Sequence, residues 1–257
     1  MNLSDARILL TNDDGIEAEG LRVLERSIKL IARDVWVIAP ESEQSASGHS
    51  LTLRSPLRIR KVSDKHFAIN GTPTDSVLLG ISEIMKEELP TLILSGINRG
   101  GNLGEDITYS GTVAAAMEGV LLGIRSIAFS QVYSKFKEVY WETASEWIGP
   151  VLDYLEDFPC PPDVLMNVNF PSVKASDVIG IEPANQGRRK SGGRLQSGVD
   201  PRGDAYFWIG PQKDAGDLTP GTDFEVVLRG AISVTPLGLD LSHSQTLRKM
   251  RAKAYNG

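Results

Sequence analysis

The sequence predicts an α/β fold, a mostly parallel sheet flanked by helices, with a β-rich arm or appendage towards the C-terminus. Three observations predict it. Short, mostly apolar runs at 8–10, 35–39, 91–94 and 126–130 alternate with longer segments of helical periodicity, the pattern of strands joined by crossover helices. The first three runs end abruptly in polar or glycine-rich loops, as strands do at the carboxyl edge of an open sheet. Beyond Pro171 the style changes: over 172–221, glycines, prolines and charges separate short β-like runs such as Tyr206, Phe207, Trp208 and Ile209.

The first strand, Ile8, Leu9 and Leu10, runs into Thr11, Asn12, Asp13, Asp14 and Gly15, and so ends in a tight, negatively charged turn. Leu21, Leu24, Ile28 and Ile31 then recur at helical spacing from Glu17 to about Arg33. A second buried strand covers 35–39 and stops at Pro40. Its exit loop, 41–50, holds four serines, a glycine and His49, a composition suited to a solvent-facing segment near a ligand. Leu51, Leu53, Leu57, Ile59, Phe67 and Ile69 alternate with polar residues, which makes 51–69 extended or hairpin structure at a sheet edge. A helix starts at Gly71-Thr72-Pro73-Thr74-Asp75, with Thr72 as N-cap, Pro73 as first helical residue and Asp75 at the positive end of the dipole. Val77, Leu78, Ile81, Ile84 and Met85 form its apolar face, and Pro90 ends it.

The third parallel strand, 91–94, gives way to a loop over 95–104 whose four glycines permit positive φ and close backbone approach to a ligand. Ser110-Gly111-Thr112 precedes a helix over 113–122, in which Ala114, Ala115 and Ala116 allow tight packing on the sheet. A strand over 126–130, a helix from Lys137 to Leu155 that Pro150 kinks or ends, and a strand over 164–168 follow. After the arm come a short helix over 222–228, a strand over 231–235 and a basic terminal helix over 245–255. The expected organisation is a core over 1–130, with the remaining core elements, the arm and the terminal helix over 131–257, all within one domain.

At 257 residues the chain is long enough to bury a large core without covalent staples, and 41% hydrophobic with 23% charged residues is ordinary globular composition. A net charge of −6 argues against a broad nucleic-acid surface. The single cysteine, Cys160, excludes an intramolecular disulfide and a cysteine zinc cluster. No apolar run reaches the roughly 18 residues of a membrane span, and the first residues lack the charged and apolar regions of a signal peptide, so neither membrane nor secretion is expected and the location reads as cytoplasmic.

Three strands thus leave polar groups at what should be one edge of one sheet: Asp13 and Asp14 after the first, Ser45 after the second, Asn98 and Asn102 after the third. Two adjacent carboxylates repel each other and resist desolvation unless a cation neutralises them. Carboxylates, a hydroxyl and an amide carbonyl are hard oxygen donors that suit Mg²⁺, Mn²⁺ or Ca²⁺. Ser110-Gly111-Thr112, entering a helix, offers hydroxyls, backbone N–H groups and the positive dipole end to an anion. Metal and anion cradle together suggest phosphoryl chemistry. The plainer readings are a common Asn-Asp-Asp-Gly turn and an ordinary helix cap. Neither a P-loop nor a G-x-G-x-x-G fingerprint occurs. His49, His66 and His243 are scattered and read as surface or packing residues, the arginine-rich stretch 188–194 as a solvated loop, and Cys160 as structural.

These blocks resemble the SurE family, the survival-protein-E 5′(3′)-nucleotidases. The likeness rests on the run 8–15, on Gln44-Ser45-Ala46-Ser47-Gly48-His49-Ser50-Leu51-Thr52, on Gly71-Thr72-Pro73-Thr74-Asp75, on the loop 95–104 and on the run 109–119, with further matches at Asp200-Pro201-Arg202-Gly203, Gly221-Thr222-Asp223-Phe224 and 233–237. The resemblance implies a Rossmann-like core with an arm used in oligomerisation, and a phosphatase of nucleoside 5′-monophosphates, with 3′-monophosphates and short polyphosphate as further substrates. It implies one divalent ion per subunit, Mg²⁺ or Mn²⁺, and a homodimer or homotetramer. The family's metal ligands fall on Asp13, Asp14, Ser45 and Asn98, its phosphate contacts on Asn102, Ser110, Gly111 and Thr112, and Asp13, Asp14 and Asn102 take the catalytic roles. This chain departs from the family in carrying Glu17 and Glu19 where members often have His or Pro, and Ser45-Ala46 where they often have Ser-Gly. In-line attack on phosphorus by a metal-activated water is the first mechanistic reading, attack by Asp13 or Asp14 the second. A non-catalytic nucleotide or phosphate sensor needs the same oxygens; a phosphorylated receiver-like domain would need an acceptor Asp where the third strand ends in Ser95-Gly96.

Overall fold

A computed structural model describes residues 3–134, 138–158, 160–189, 195–209 and 216–254. Strand β1 (Arg7–Thr11) is followed by α1 (Glu19–Ile28), β2 (Asp34–Pro40), the hairpin of β3 (Ile59–Ser63) and β4 (His66–Ile69), and α2 (Pro73–Leu79). Next come β5 (Leu92–Arg99), α3 (Gly111–Leu121), β6 (Ser126–Gln131), α4 (Trp141–Glu156) and β7 (Val164–Phe170). The C-terminal part adds β8 (Ile181–Pro183), the hairpin of β9 (Leu195–Val199) and β10 (Ala205–Ile209), α5 (Asp223–Leu228), β11 (Ile232–Gly238) and α6 (Ser244–Ala254).

A nine-stranded sheet in the order β3-β4-β2-β1-β5-β6-β7-β11-β8 carries the fold. From β4 to β7 every neighbouring pair is parallel, while β3 on β4 and β11 on β7 are antiparallel. From β1 the chain winds outward to β2 and β4, then returns to β5 on the other side and winds outward again, so the order reverses between β1 and β5. That switch point is where an open α/β sheet opens a crevice at the carboxyl ends of its strands.

Side-chain alternation along the strands sorts the two faces. Ile8, Leu10, Val35, Val37, Leu92 and Leu94 pack against Leu21, Leu24 and Ile28 of α1 and Ala144, Ile148 and Val151 of α4. Leu9, Ile38, Ile69 and Ile93 face the other way, onto Val77 of α2 and Ala115 of α3. Because β1 is covered on both faces, Ile8, Leu9 and Leu10 are all buried, which is why the run is unbroken rather than alternating. Helix α3 lies close to the sheet: a Cβ on Gly119 would stand 2.3 Å from Ser126 Oγ, and Ala114, Ala115 and Ala116 are buried.

Several expected boundaries shift. Helix α1 starts at Glu19, because Gly15 (φ 96°) opens a turn in which Ala18 N–H donates to Gly15 O, and it ends at Ile28 rather than Arg33. Strand β5 runs on to Arg99: after a register shift between Ser95 and Asn98, Asn98 pairs with Ser130 and Arg99 with Gln131, so Asn98 sits at a strand end and not in a loop. Helix α4 continues through Pro150, and its expected start at Lys137 falls outside the described residues. Residue 255 and residues 190–194 of the arginine-rich stretch also lie outside them. The expected hairpin edge at 51–69 narrows to β3 and β4, with β3 exposed along its length. Among the described residues no helix is long and apolar enough to cross a membrane.

Candidate active site

The turn after β1 is shaped by Asn12, whose side-chain amide donates to Gly15 O at 2.9 Å. It presents Asp13 and Asp14 to the switch-point crevice. Asp13 is buried, and its carboxylate accepts a hydrogen bond from the Thr112 hydroxyl on α3. Burial pushes the Asp13 carboxyl up to about 6; the charge of Asp14 adds to that and the Thr112 bond opposes it. Burial also raises Asp14, helped by the charge of Glu43 and opposed by the Arg99 N–H that donates to its carboxylate at 3.1 Å. Gly111 has to be glycine, because a Cβ there would lie 2.7 Å from Asp13 Cβ and 2.9 Å from Ser47 Oγ.

The irregular segment after β2 is tied down on both sides. Gln44 N–H donates to Asp13 O at 2.8 Å and Gly48 N–H to Tyr109 O at 3.1 Å. His49 Nε2 meets the buried Glu118 carboxylate of α3 at 2.9 Å. Further along, the cap of α2 serves twice: Asp75 accepts from Thr72 N–H at 2.9 Å and from Thr52 N–H at 3.1 Å, while the Thr72 hydroxyl donates to Ser50 O at 2.7 Å. His49, His66 (on Glu25, 2.8 Å) and His243 (on the Thr246 hydroxyl, 2.6 Å) are therefore structural partners.

Asn102 is held from behind. Its backbone N–H donates to Asn169 Oδ1 at 2.8 Å, its carbonyl accepts from Asn167 Nδ2 at 2.8 Å, and its side-chain amide reaches Ser130 Oγ at 2.8 Å. Ser130, Asn167 and Asn169 are wholly buried. Ser110 caps α3 by accepting from Val113 N–H at 3.1 Å, which leaves its own O–H to donate.

A cavity of about 1370 Å³ opens at this edge, lined by Asp13, Asp14, Ser45, Asn98, Asn102 and Ser110. Gly111 and Thr112 stand behind Asp13, so Thr112 bears on the site through its bond to that carboxylate. The polar partners leave oxygens free to face a cation. Asn98 Nδ2 donates to Gly100 O at 2.9 Å, which frees Oδ1; the Ser45 hydroxyl donates to Glu43 Oε1 at 2.6 Å, which frees its lone pairs; and one oxygen each of Asp13 and Asp14 is already engaged. Among the described residues no three His, Cys, Asp or Glu side chains cluster, so a cation here would be held by two carboxylates, a hydroxyl and an amide oxygen. That donor set fits a hard divalent ion.

Sequence reasoning passed over Glu43, Ser130, Asn167, Asn169 and Asp223. Two asparagines spaced by one residue in the apolar run of β7 put polar groups on one face of a buried strand, and that was a readable signal. Asp223, noted in the sequence only within a matching block and given no role, is buried, and its carboxylate accepts from Gly104, Gly187 and Phe224 N–H at 2.8, 2.9 and 2.9 Å, joining the loop before Ser110 to the C-terminal segment. Of the departures noted in the sequence, Glu19 lines the cavity and pairs with Arg26 at 2.8 Å, whereas Glu17 pairs with Arg22.

The chain is similar along nearly its whole length to proteins named 5′-nucleotidase SurE. It is 55% identical over 247 residues to that of Paramagnetospirillum magneticum, covering 96% of this chain and 95% of the relative. It is 49% identical over 252 residues to that of Rhodospirillum rubrum, covering 97% and 96%. The crystal structure of the Sure protein from Aquifex aeolicus superposes with a TM-score of 0.82 at 38% identity, over 96% of this chain and 99% of that one. Residues 8–193 match the family described as Survival protein SurE, and with the crevice, the carboxylate pair and the capped α3 in place, the chain belongs to the SurE family.

Proposed function

We propose that this chain is a divalent-metal-dependent phosphatase that hydrolyses nucleoside 5′-monophosphates to nucleoside and phosphate. The convergence of Asp13, Asp14, Ser45 and Asn98 with Asn102 and Ser110 on one switch-point cavity carries the reading, in a chain whose relatives are named 5′-nucleotidase. Asp13, Asp14, Ser45 and Asn98 would hold the divalent ion, Mg²⁺ or Mn²⁺, which would supply Lewis acidity to the bound phosphoryl group. The Asn102 amide and the Ser110 hydroxyl donate to the remaining phosphoryl oxygens, and the first N–H groups of α3 add the positive end of its dipole. Thr112 keeps the Asp13 carboxylate in place while charge shifts among the phosphoryl and leaving oxygens. Attack on phosphorus breaks the ester P–O bond, and the departing nucleoside oxygen takes up a proton. Water is the first choice of nucleophile. Recovery of phosphate covalently bound to the protein after denaturant quenching would replace it with Asp13 or Asp14.

The same oxygens serve 3′-monophosphates and short polyphosphate in this reading. The exposed β9–β10 hairpin and α6 act in assembly of a homodimer or homotetramer, and the protein works in the cytoplasm. The test is phosphate release from nucleoside 5′- and 3′-monophosphates by metal-stripped protein, with and without added Mg²⁺ or Mn²⁺. Metal-dependent turnover is expected; tight nucleotide binding without release would make the chain a sensor.

A further inference from the structure

The cavity is larger than a phosphoryl group needs. At about 1370 Å³ it exceeds the roughly 300–1,000 Å³ of common small-molecule sites, so space remains beside the metal and phosphate positions for the rest of a substrate. One aromatic side chain in that wall is tied by a short chain of contacts to the metal-ligand set. Tyr133 follows β6, whose last residue Gln131 pairs with Arg99, and Gly100 N–H donates to Gln131 O at 3.0 Å. The Arg99 guanidinium sits 5.4 Å from the Tyr133 ring centroid, while Arg99 N–H holds the Asp14 carboxylate at 3.1 Å. Gly100, at φ 132°, turns the chain between Arg99 and the loop, and its Cα faces the ring closely enough that a Cβ there would be in ordinary contact with Tyr133 Cε1 at 3.8 Å. Tyr133 is 39% exposed and lines the same cavity as Asp14 and Asn98, and Arg99 is the only basic side chain lining it among the described residues.

An exposed ring backed by a guanidinium, beside a site that takes phosphate, has the attributes of a stacking surface for a heteroaromatic ring. We infer that Tyr133, backed by Arg99, is the platform on which the nucleobase of the substrate stacks, an inference that rests on the nucleotidase reading. Stacking reads no hydrogen-bond pattern, so the platform accepts purines and pyrimidines alike and separates nucleotides from aliphatic phosphate esters.

The test compares the full-length wild type with Tyr133→Ala and Tyr133→Trp, all loaded with Mn²⁺. Equilibrium binding of adenosine, cytidine and inorganic phosphate is measured together with KM for the two 5′-monophosphates. Tyr133→Ala is expected to weaken both nucleosides and raise both KM values by roughly 10-fold or more, leave the phosphate Kd unchanged, and be rescued by Tyr133→Trp. Unchanged nucleoside binding, or an equal loss of phosphate binding, would overturn the platform. Failure of the wild type to release phosphate from any nucleotide would instead overturn the nucleotidase reading, and the nucleoside binding series would still decide the role of Tyr133.

Discussion

Burial sets the chemistry of Asp13. Taking its carboxylate out of water favours the protonated form, so the folded-state pKa of about 6 lies above the ordinary value of 3.8. A raised acid contributes stability that is complete below the unfolded pKa and is lost as pH rises through the folded one. The metal-free protein should therefore lose stability from this group between about pH 4 and pH 6, the span of the shift. Asp13→Asn keeps an oxygen for the Thr112 hydroxyl and removes the charge. It is expected to be nearly inactive yet folded, and more stable than the metal-free wild type above pH 6 by on the order of 2–3 kcal/mol, with no advantage below pH 4. Thermal melts of metal-stripped proteins across pH check this; an inactive variant that loses its melting transition would leave Asp13 with a structural role. Gly111→Ala pushes a methyl group against Asp13 and Ser47. A loss of about 1–3 kcal/mol in stability is expected from overpacking, together with weaker Mn²⁺ binding in a calorimetric titration.

Elements act on the site by holding loops rather than by touching ligands. Strands β6 and β7 grip Asn102 through Ser130, Asn167 and Asn169, fixing the loop that links β5 to α3. Asn169→Ala leaves the buried Asn102 N–H without its acceptor, a loss of roughly 1–3 kcal/mol at that position. The expected outcome is a kcat reduced by about 10-fold or more with Mn²⁺ affinity preserved, read from steady-state kinetics beside a metal titration. On the far side of the same loop, Asp223→Asn would turn an amide donor towards Gly104 or Gly187 N–H and break the link to the C-terminal segment. Its denaturation midpoint should fall by the equivalent of about 1–3 kcal/mol. The strand-to-helix grammar of these elements was legible because periodicity and capping are local; Thr72 caps α2 and Pro73 opens it as the sequence implied, and the Asp75 carboxylate, expected only to favour the dipole, closes a capping box with Thr72. The extension of β5 through Asn98 was not, because it depends on β6 pairing beyond a register shift that no local pattern encodes.

For the whole molecule, the apolar surface is uneven. The β9–β10 hairpin exposes Trp208 (69%) and Ile209 (83%), and α6 is exposed along its described side chains. A two-stranded hairpin alone is marginal in water, and exposed aromatic and aliphatic groups on it favour a contact with another surface. Sedimentation velocity of the wild type is expected to give a dimer or tetramer, and Trp208→Glu to shift it towards monomer; a monomeric wild type at micromolar concentration would remove the assembly role proposed for the arm.

The sequence by itself determined the α/β class, the order of the core elements and the set of oxygen-bearing residues proposed for the site. Each of these follows from short-range facts: an unbroken apolar run buried on both faces, a helix cap, two acids in the turn after a strand. Only the tertiary structure decided which of those residues share one crevice and what each one faces. It set the Thr112 hydroxyl on Asp13, turned Asn98 Oδ1 free by engaging its nitrogen, and brought Asn167 and Asn169 behind Asn102 from more than sixty positions away. The reason is physical. Burial, hydrogen-bond satisfaction and pKa belong to the surroundings of a side chain, and those surroundings are assembled by strand order across the sheet rather than by sequence neighbours.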